Sequence, residues 1–223
     1  MNKKLKKAIN IMLVSVGIAY YFNNIYPSLD SVQKGVNKFI DEKIQEKTKI
    51  YEYNINNVHN VYDYLFLANT VVANHFKDGY SILPDKGNIE KDLARTVADC
   101  YITSNFTYSD YVYLVKHANN NDLLRDVRVA SGICFGEGKW HAHRWLEYKS
   151  ENQWKIFETT LFLDNKKNHE SEPWSTVLLN QNLVNSDPKD YYALVYTRLN
   201  ERNKLVKKNR MDKCTVRYTF YRI

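Results

Sequence analysis

Cysteine is scarce in this chain of 223 residues, which contains only Cys100, Cys134 and Cys214. A small and odd number of cysteines argues against a disulfide-stabilised scaffold. If the protein lies outside the cytosol, at least one thiol is free, and such a thiol is either buried or chemically active. Internal repeats and low-complexity segments are also missing, so the sequence predicts one globular domain with appendages.

A strong charge of one sign is missing beyond the N-terminus. From Leu29 onward, 28 basic residues face 25 acidic ones, a net charge of +3. So small an excess argues against nucleic acid as a partner. The stretch from Arg198 to Ile223 holds nine of the basic residues. It is typical of a solvated helix face, with contact to an anionic membrane or cell wall as the weaker alternative.

Residues 1–28 have the pattern of a signal anchor. Four lysines stand among residues 1–7, and residues 8–22 form an uncharged, mostly apolar run. A small-residue cleavage motif does not follow this run, which favours an anchor over a cleaved signal peptide. Because basic residues stay in the cytoplasm, we expect a single-pass membrane protein with a cytoplasmic N-terminus and residues 30–223 outside the cytoplasm. A buried amphipathic N-terminal helix is the competing interpretation.

Four segments after the anchor have helical character. Residues 29–50 place apolar side chains at helical spacing among many charges, which predicts an amphipathic spacer helix. Further helices are expected over Val61–Phe76, Asp92–Ile102 and Ser109–His117. The domain itself is assigned to residues 51–223.

The spacing of apolar residues then changes from that of helices to that of β-strands. Asp126–Phe135, Trp140–Tyr148 and Trp154–Phe162 are rich in β-branched and aromatic residues and are separated by short turns. Tyr191–Thr197 and Thr215–Ile223 are weaker strand candidates on either side of a basic helix. Helices followed by an antiparallel sheet predict an α+β fold.

The second hairpin predicts a polar pair. If it turns at residues 150–151, His143 lies opposite Glu158, and opposed residues on one sheet face have Cβ atoms about 5 Å apart. A carboxylate that holds one imidazole nitrogen fixes the tautomer and raises the basicity of the ring. A polar pair without catalytic function is the competing interpretation.

The first hairpin adds two residues to the same side. A turn at residues 137–138 places Cys134 opposite His141, so that Cys134, His141, His143 and Glu158 share one face. These donors allow a second hypothesis, a tetrahedral zinc site on the hairpin face.

Three spaced segments resemble the transglutaminase-like superfamily. Arg128–Gly132 matches an Arg-Val strand that ends in Gly, His143–Glu147 matches His-x-Trp-x-Glu, and Trp154–Thr160 matches a Trp followed by Asp-x-Thr. The resemblance covers roughly residues 90–162. It implies a papain-like α+β core and a Cys-His-Asp site that cleaves or exchanges amides through a thioester.

The resemblance implies His143 as the base and Glu158 in the place of the Asp. The nucleophile has two candidates, since the family's Cys begins a helix and is often followed by x-Asp-Tyr. The segment Tyr108-Ser109-Asp110-Tyr111 matches that motif with Tyr in the place of Cys, which implies an inactive protein. Cys100 is the alternative, although a continuous helix over Asp92–Ile102 would bury it as a small apolar residue.

The function expected from these features is that of a membrane-anchored thiol amidase, protease or acyl transferase. With Cys100, His143 and Glu158 as its site, it would act on protein or peptide amides outside the cytoplasm, without a cofactor. The alternative is an inactive module of the same fold that binds a partner in the cell envelope.

Overall fold

The computed structural model describes most of the region from residue 29 to residue 160 and several segments nearer the C-terminus. The described residues are 29–38, 58, 60–83, 87–136, 139–160, 163, 189–197, 204–205 and 212–216. The predicted anchor over residues 1–28 lies outside them. Within the described part of the chain, no helix combines the length and the apolar character needed to cross a bilayer.

Four helices of the described chain precede the main sheet. They are α1 (residues 29–38), α2 (Val61–His75), α3 (Ile89–Leu93) and α4 (Cys100–His117), followed by a 3₁₀ turn over Asn121–Asp126. The predicted helix over Val61–Phe76 is confirmed within one residue. Its N-cap is the side chain of Asn60, which accepts a hydrogen bond from the backbone amide of Asp63.

The predicted helix over Asp92–Ile102 is wrong. The short helix α3 ends at Leu93, and Val97–Ala98 forms strand β2, which pairs in parallel with β1 (Gly79–Tyr80). Helix α4 then begins at Cys100, because the Asp99 carboxylate accepts hydrogen bonds from the two backbone amides that follow Cys100. A strand and a new cap therefore separate two helices where the periodicity suggested one.

The main sheet is antiparallel throughout its described pairs. Its strands are β3 (Val127–Gly136), β4 (Lys139–Ser150), β5 (Gln153–Phe157), β6 (Lys189–Thr197), β7 (Lys204–Leu205) and β8 (Asp212–Val216). They are arranged in the order β5–β4–β3–β6–β7, and β8 also pairs with β6. Helices packed against an antiparallel sheet confirm the α+β class.

The predicted register of the first hairpin is confirmed, and that of the second hairpin is wrong. Cys134 lies opposite His141, as predicted. The second hairpin turns at Glu151 and Asn152, both of which have positive φ, and it pairs Leu146 with Phe157. This register is two residues away from the predicted one. A shift of two leaves each side chain on its original face of the sheet, because side chains alternate with a period of two.

The same register ends β5 earlier than predicted. The expected strand over Trp154–Phe162 stops at Phe157, so Glu158 is not paired directly opposite His143. Glu158 instead begins the segment that leaves the sheet. Its side chain still approaches His143 from that segment.

The core is built on both faces of the sheet. The larger cluster lies between the helices and one sheet face, and it includes Val129 and Leu146 of the sheet with Val32 of α1. Residues 29–38 are therefore part of the folded core. A smaller cluster lies on the opposite face, as strand alternation requires; its buried members are Ala130, Cys134, Trp145, Tyr191 and Ala193.

Candidate active site

Cys100 is the first residue of helix α4. The side chain of Asp99 caps the helix, and the exposed fraction of Cys100 is 8%. The N-terminus of an 18-residue helix carries a partial positive charge, which favours a neighbouring anion. Cys100 therefore stands in the first turn of α4, directly after the residue that caps the helix.

His143 of strand β4 lies between Cys100 and Glu158. Its Nε2 is 2.6 Å from Oε2 of Glu158, and the Cys100 side chain lies close enough to raise the pKa of the ring. Since Glu158 engages Nε2, Nδ1 is the nitrogen left for the sulfur. Thiol, imidazole and carboxylate thus form one connected series.

Glu158 accepts four hydrogen bonds although only 3% of its surface is exposed. Oε2 accepts from His143 and from the Tyr191 hydroxyl, the latter at 2.9 Å. Oε1 accepts from the backbone amide of Thr160 at 3.1 Å and from its hydroxyl at 2.7 Å. Hydrogen bonds of this number stabilise a buried carboxylate in its ionised form.

The pKa values of Glu158 and His143 are shifted in opposite directions. Burial alone raises the pKa of Glu158, but the charge of His143 and the hydrogen bonds from His143 and Thr160 lower that pKa to about 2. Burial alone lowers the pKa of His143, but Glu158 and Cys100 hold the imidazole pKa well above its ordinary value. The favoured state is therefore a carboxylate beside an imidazolium.

Hydrogen bonds connect helix α4 to the chain next to His143 and next to Glu158. The Ser104 hydroxyl donates to the backbone carbonyl of Arg144, the neighbour of His143, at 2.9 Å. Thr159, the neighbour of Glu158, shares hydrogen bonds of 3.1 Å with Ser104 and with Thr103. These buried contacts fix the first turns of α4 relative to β4 and to the segment that follows β5.

Trp145 packs flat against the imidazole. The ring centroids of His143 and Trp145 are 5.9 Å apart with an interplanar angle of 18°. The indole N–H donates to Oε1 of Glu147 at 3.1 Å, which fixes the Trp145 ring from the other side. The Trp and Glu of the His-x-Trp-x-Glu segment thus orient the His.

Glu147 is held in turn by Arg128 of strand β3. A guanidinium nitrogen, Nη2, lies 2.6 Å from Oε2 of Glu147. The guanidinium also lies 3.5 Å from the ring centre of Tyr196 and 4.0 Å from that of Trp154. Ion pairing and cation–π contact together give Arg128 a fixed position.

The other candidates lie outside this series. Tyr108 is buried within helix α4 as part of the larger core cluster, away from the helix start that Cys100 occupies. Cys134 is buried in the smaller cluster, whereas His141 is exposed. In the part of the chain with described side chains, no group of three His, Cys, Asp or Glu residues could hold a metal ion.

Two contributors to the site were missed in the sequence. Tyr191 lies on β6, more than 30 residues beyond Glu158 in the chain, and a lone Tyr in a weak strand gives no local signal. Thr159 stands between two recognised positions, on the segment after β5 to which strand alternation does not apply. No protein-family model, curated protein or solved structure matches this chain.

Proposed function

We propose that this protein is a thiol enzyme of the transglutaminase-like type that cleaves or exchanges amides through a thioester. Cys100 is the nucleophile, His143 the general base and acid, and Glu158 the group that orients His143. The observation that carries the proposal is the series formed by a thiol at a helix N-terminus, a partly buried imidazole and a buried carboxylate. A nucleophile, a base and a third group that orients the base are the signature of nucleophilic catalysis.

The proposed reaction has two steps. The Cys100 thiolate attacks the amide carbonyl carbon, and the tetrahedral intermediate collapses as the C–N bond breaks. The imidazolium of His143 gives its proton to the departing amine, which leaves a thioester and a neutral imidazole. In the second step His143 takes a proton from water or from a second amine as that molecule attacks the thioester carbonyl carbon. The C–S bond then breaks, which releases a carboxylic acid or a new amide. Both outcomes regenerate the Cys100 thiolate and the His143 imidazolium.

The substrate class and the location of the site are inferred from the sequence. A protein or peptide amide is the substrate that a transglutaminase-like site would accept, and residues 1–28 would tether the domain to a membrane with the site outside the cytoplasm. The papain-like core implied by Arg128–Gly132, His143–Glu147 and Trp154–Thr160 belongs to the same proposal. No step in it requires a cofactor.

The test is thiol mapping of the full-length protein with limiting iodoacetamide at pH 6.5, with the label located by mass spectrometry. Only a thiol held as thiolate reacts quickly at this pH. We expect fast labelling of Cys100 and a loss of about 10²-fold in the His143→Ala variant. The matched control is His141→Ala, because His141 is an exposed residue of the same strand.

Three results would argue against an enzyme. One is labelling of Cys100 as slow as that of Cys134, another is fast labelling that persists in His143→Ala, and the third is an equal loss in His141→Ala. Any of these would favour the alternative, a module of this fold that binds a partner in the cell envelope. The next experiment would then be a search for that partner.

A further inference from the structure

Tyr191 reaches the site from a strand that carries none of the recognised motifs. Its hydroxyl donates to Oε2 of Glu158 at 2.9 Å, and this is the oxygen that accepts from Nε2 of His143 at 2.6 Å. Only 1% of Tyr191 is exposed, so water does not compete for that hydrogen bond. Two donors from two different strands therefore meet at one carboxylate oxygen.

The Tyr191 ring also borders the imidazole. Its centroid lies 5.9 Å from that of His143 and 5.2 Å from that of Trp145. Trp145 covers His143 in a nearly parallel arrangement, whereas Tyr191 approaches at a tilt of 48°. Two aromatic rings thus limit how far the imidazole can turn about its own bonds.

The Glu158 carboxylate also needs contacts that fix its orientation. It stands on the segment that leaves the sheet after Phe157, and the terminal torsion of a Glu side chain is soft. Thr160 donates hydrogen bonds to Oε1 from its amide and its hydroxyl. The orientation of Oε2 therefore depends on its own two donors, His143 and Tyr191. The Tyr191 hydroxyl is the uncharged donor at that oxygen.

We propose that Tyr191 is a positioning residue of the active site, whose hydroxyl fixes the Glu158 oxygen that holds His143 and whose ring bounds the imidazole. This inference rests on the proposed function. It adds a fourth side chain to the site and assigns strand β6 a role in the chemistry. Tyr191 acts through its contacts with Glu158 and His143.

The hydroxyl has a further effect on His143. A hydrogen bond donated to a carboxylate oxygen withdraws negative charge from it, so Oε2 attracts the imidazolium less strongly than it would without Tyr191. Among the described residues, the ionisable groups that interact with the His143–Glu158 pair include Cys100 from α4 and Tyr191 from β6. Removal of the hydroxyl should therefore let His143 keep its proton to higher pH.

The experiment is the pH–rate profile of Cys100 alkylation by iodoacetamide in the full-length protein. The inflection that disappears in His143→Ala belongs to His143. In Tyr191→Phe, which keeps the ring, we expect this inflection to move up by about one pH unit. The matched control is Tyr111→Phe, because the buried Tyr111 donates its hydroxyl to the carbonyl of Leu123, away from the site. That variant should leave the inflection unchanged.

The outcomes separate this inference from the proposed function. If His143→Ala leaves Cys100 labelling unchanged, the proposed function fails. If the His143 dependence holds but the inflection in Tyr191→Phe stays in place or moves down, only the role of Tyr191 fails. Equal shifts in Tyr191→Phe and Tyr111→Phe would also overturn it, since they would reflect a general loss of packing.

A second measurement covers the case in which Tyr191→Phe does not fold. In the wild-type protein the Tyr191 hydroxyl proton and the His143 Nε2 proton point at one oxygen. We expect both protons to exchange slowly with solvent and to show a mutual nuclear Overhauser effect. Rapid exchange of the hydroxyl proton would overturn the inference.

Discussion

At the scale of single residues, the Glu158 carboxylate meets four hydrogen-bond donors, two at each oxygen. A Glu158→Gln substitution replaces one oxygen with an NH₂ group, which would face donors whichever way the amide turned. It also removes the charge opposite the imidazolium. We expect iodoacetamide labelling of Cys100 at pH 6.5 to slow by about 10²-fold. We also expect the free energy of unfolding to fall by about 3–5 kcal/mol.

The control for this substitution is Glu158→Asp. It keeps the charge, but its carboxylate reaches one methylene less far. We expect labelling of Cys100 intermediate between that of the wild type and that of Glu158→Gln. If Cys100 of Glu158→Gln is labelled at the wild-type rate, the carboxylate does not contribute to the reactivity of the thiol.

The residues of the site differ in how well the sequence predicts them. His143 and Glu158 were found because their spacing in a recognised pattern agrees with strand alternation, and alternation tolerates a register error of two residues. Tyr191 could not be found this way. Its contact with Glu158 depends on how β6 pairs with β3, and long-range strand pairing leaves no trace in a local pattern.

At the scale of secondary-structure elements, the start of helix α4 decides what Cys100 can do. The apolar residues around it suggested a helix already in progress, in which Cys100 would be an inert core residue. Asp99 was the signal for a new helix, since Asp is among the preferred N-cap residues. Val97–Ala98 interrupts the helix for a reason outside its own sequence, because it pairs with Gly79–Tyr80.

The cap gives a prediction at this scale. Asp99→Ala removes the acceptor for the free amides of Tyr101 and Ile102, so the turn that carries Cys100 should fray. We expect a loss of about 0.5–2 kcal/mol in the free energy of unfolding and a several-fold slower labelling of Cys100 at pH 6.5. Urea denaturation and thiol mapping measure the two effects.

The matched control is Asn60→Ala, which removes the cap of α2. It should cost a similar free energy of unfolding and leave the labelling of Cys100 unchanged. If both variants slow the labelling equally, the effect reflects global stability. Unchanged labelling in Asp99→Ala would mean that the cap does not hold Cys100 in place.

At the scale of the whole molecule, the site combines residues from three parts of the fold. Cys100 comes from the helices, His143 from the sheet, and Glu158 from the segment that leaves it. Composition and periodicity predicted the two layers, since they depend on local patterns. They did not predict that residues 29–38 pack into the core, because an amphipathic helix among many charges looks the same whether its apolar side faces its own domain or another surface.

The buried pair also links the stability of the whole fold to pH. The pKa of His143 is raised above 6.5, so its contribution to stability is complete below pH 6.5 and is lost as the pH rises through the raised value. The pKa of Glu158 is lowered from 4.5 to about 2, so its contribution is complete above pH 4.5 and is lost as the pH falls towards 2. The pair therefore stabilises the fold most between about pH 4.5 and 6.5.

We expect the free energy of unfolding, measured by urea denaturation from pH 3 to pH 10, to be greatest in this window. His143→Ala should flatten the fall on the alkaline side, whereas His141→Ala should preserve it, because His141 is exposed and lies outside the series. Parallel curves for the wild type and His143→Ala would mean that the imidazole titrates alike in the folded and unfolded chains. A flattened curve would tie the protonation state proposed for catalysis to the energy of the fold that holds it.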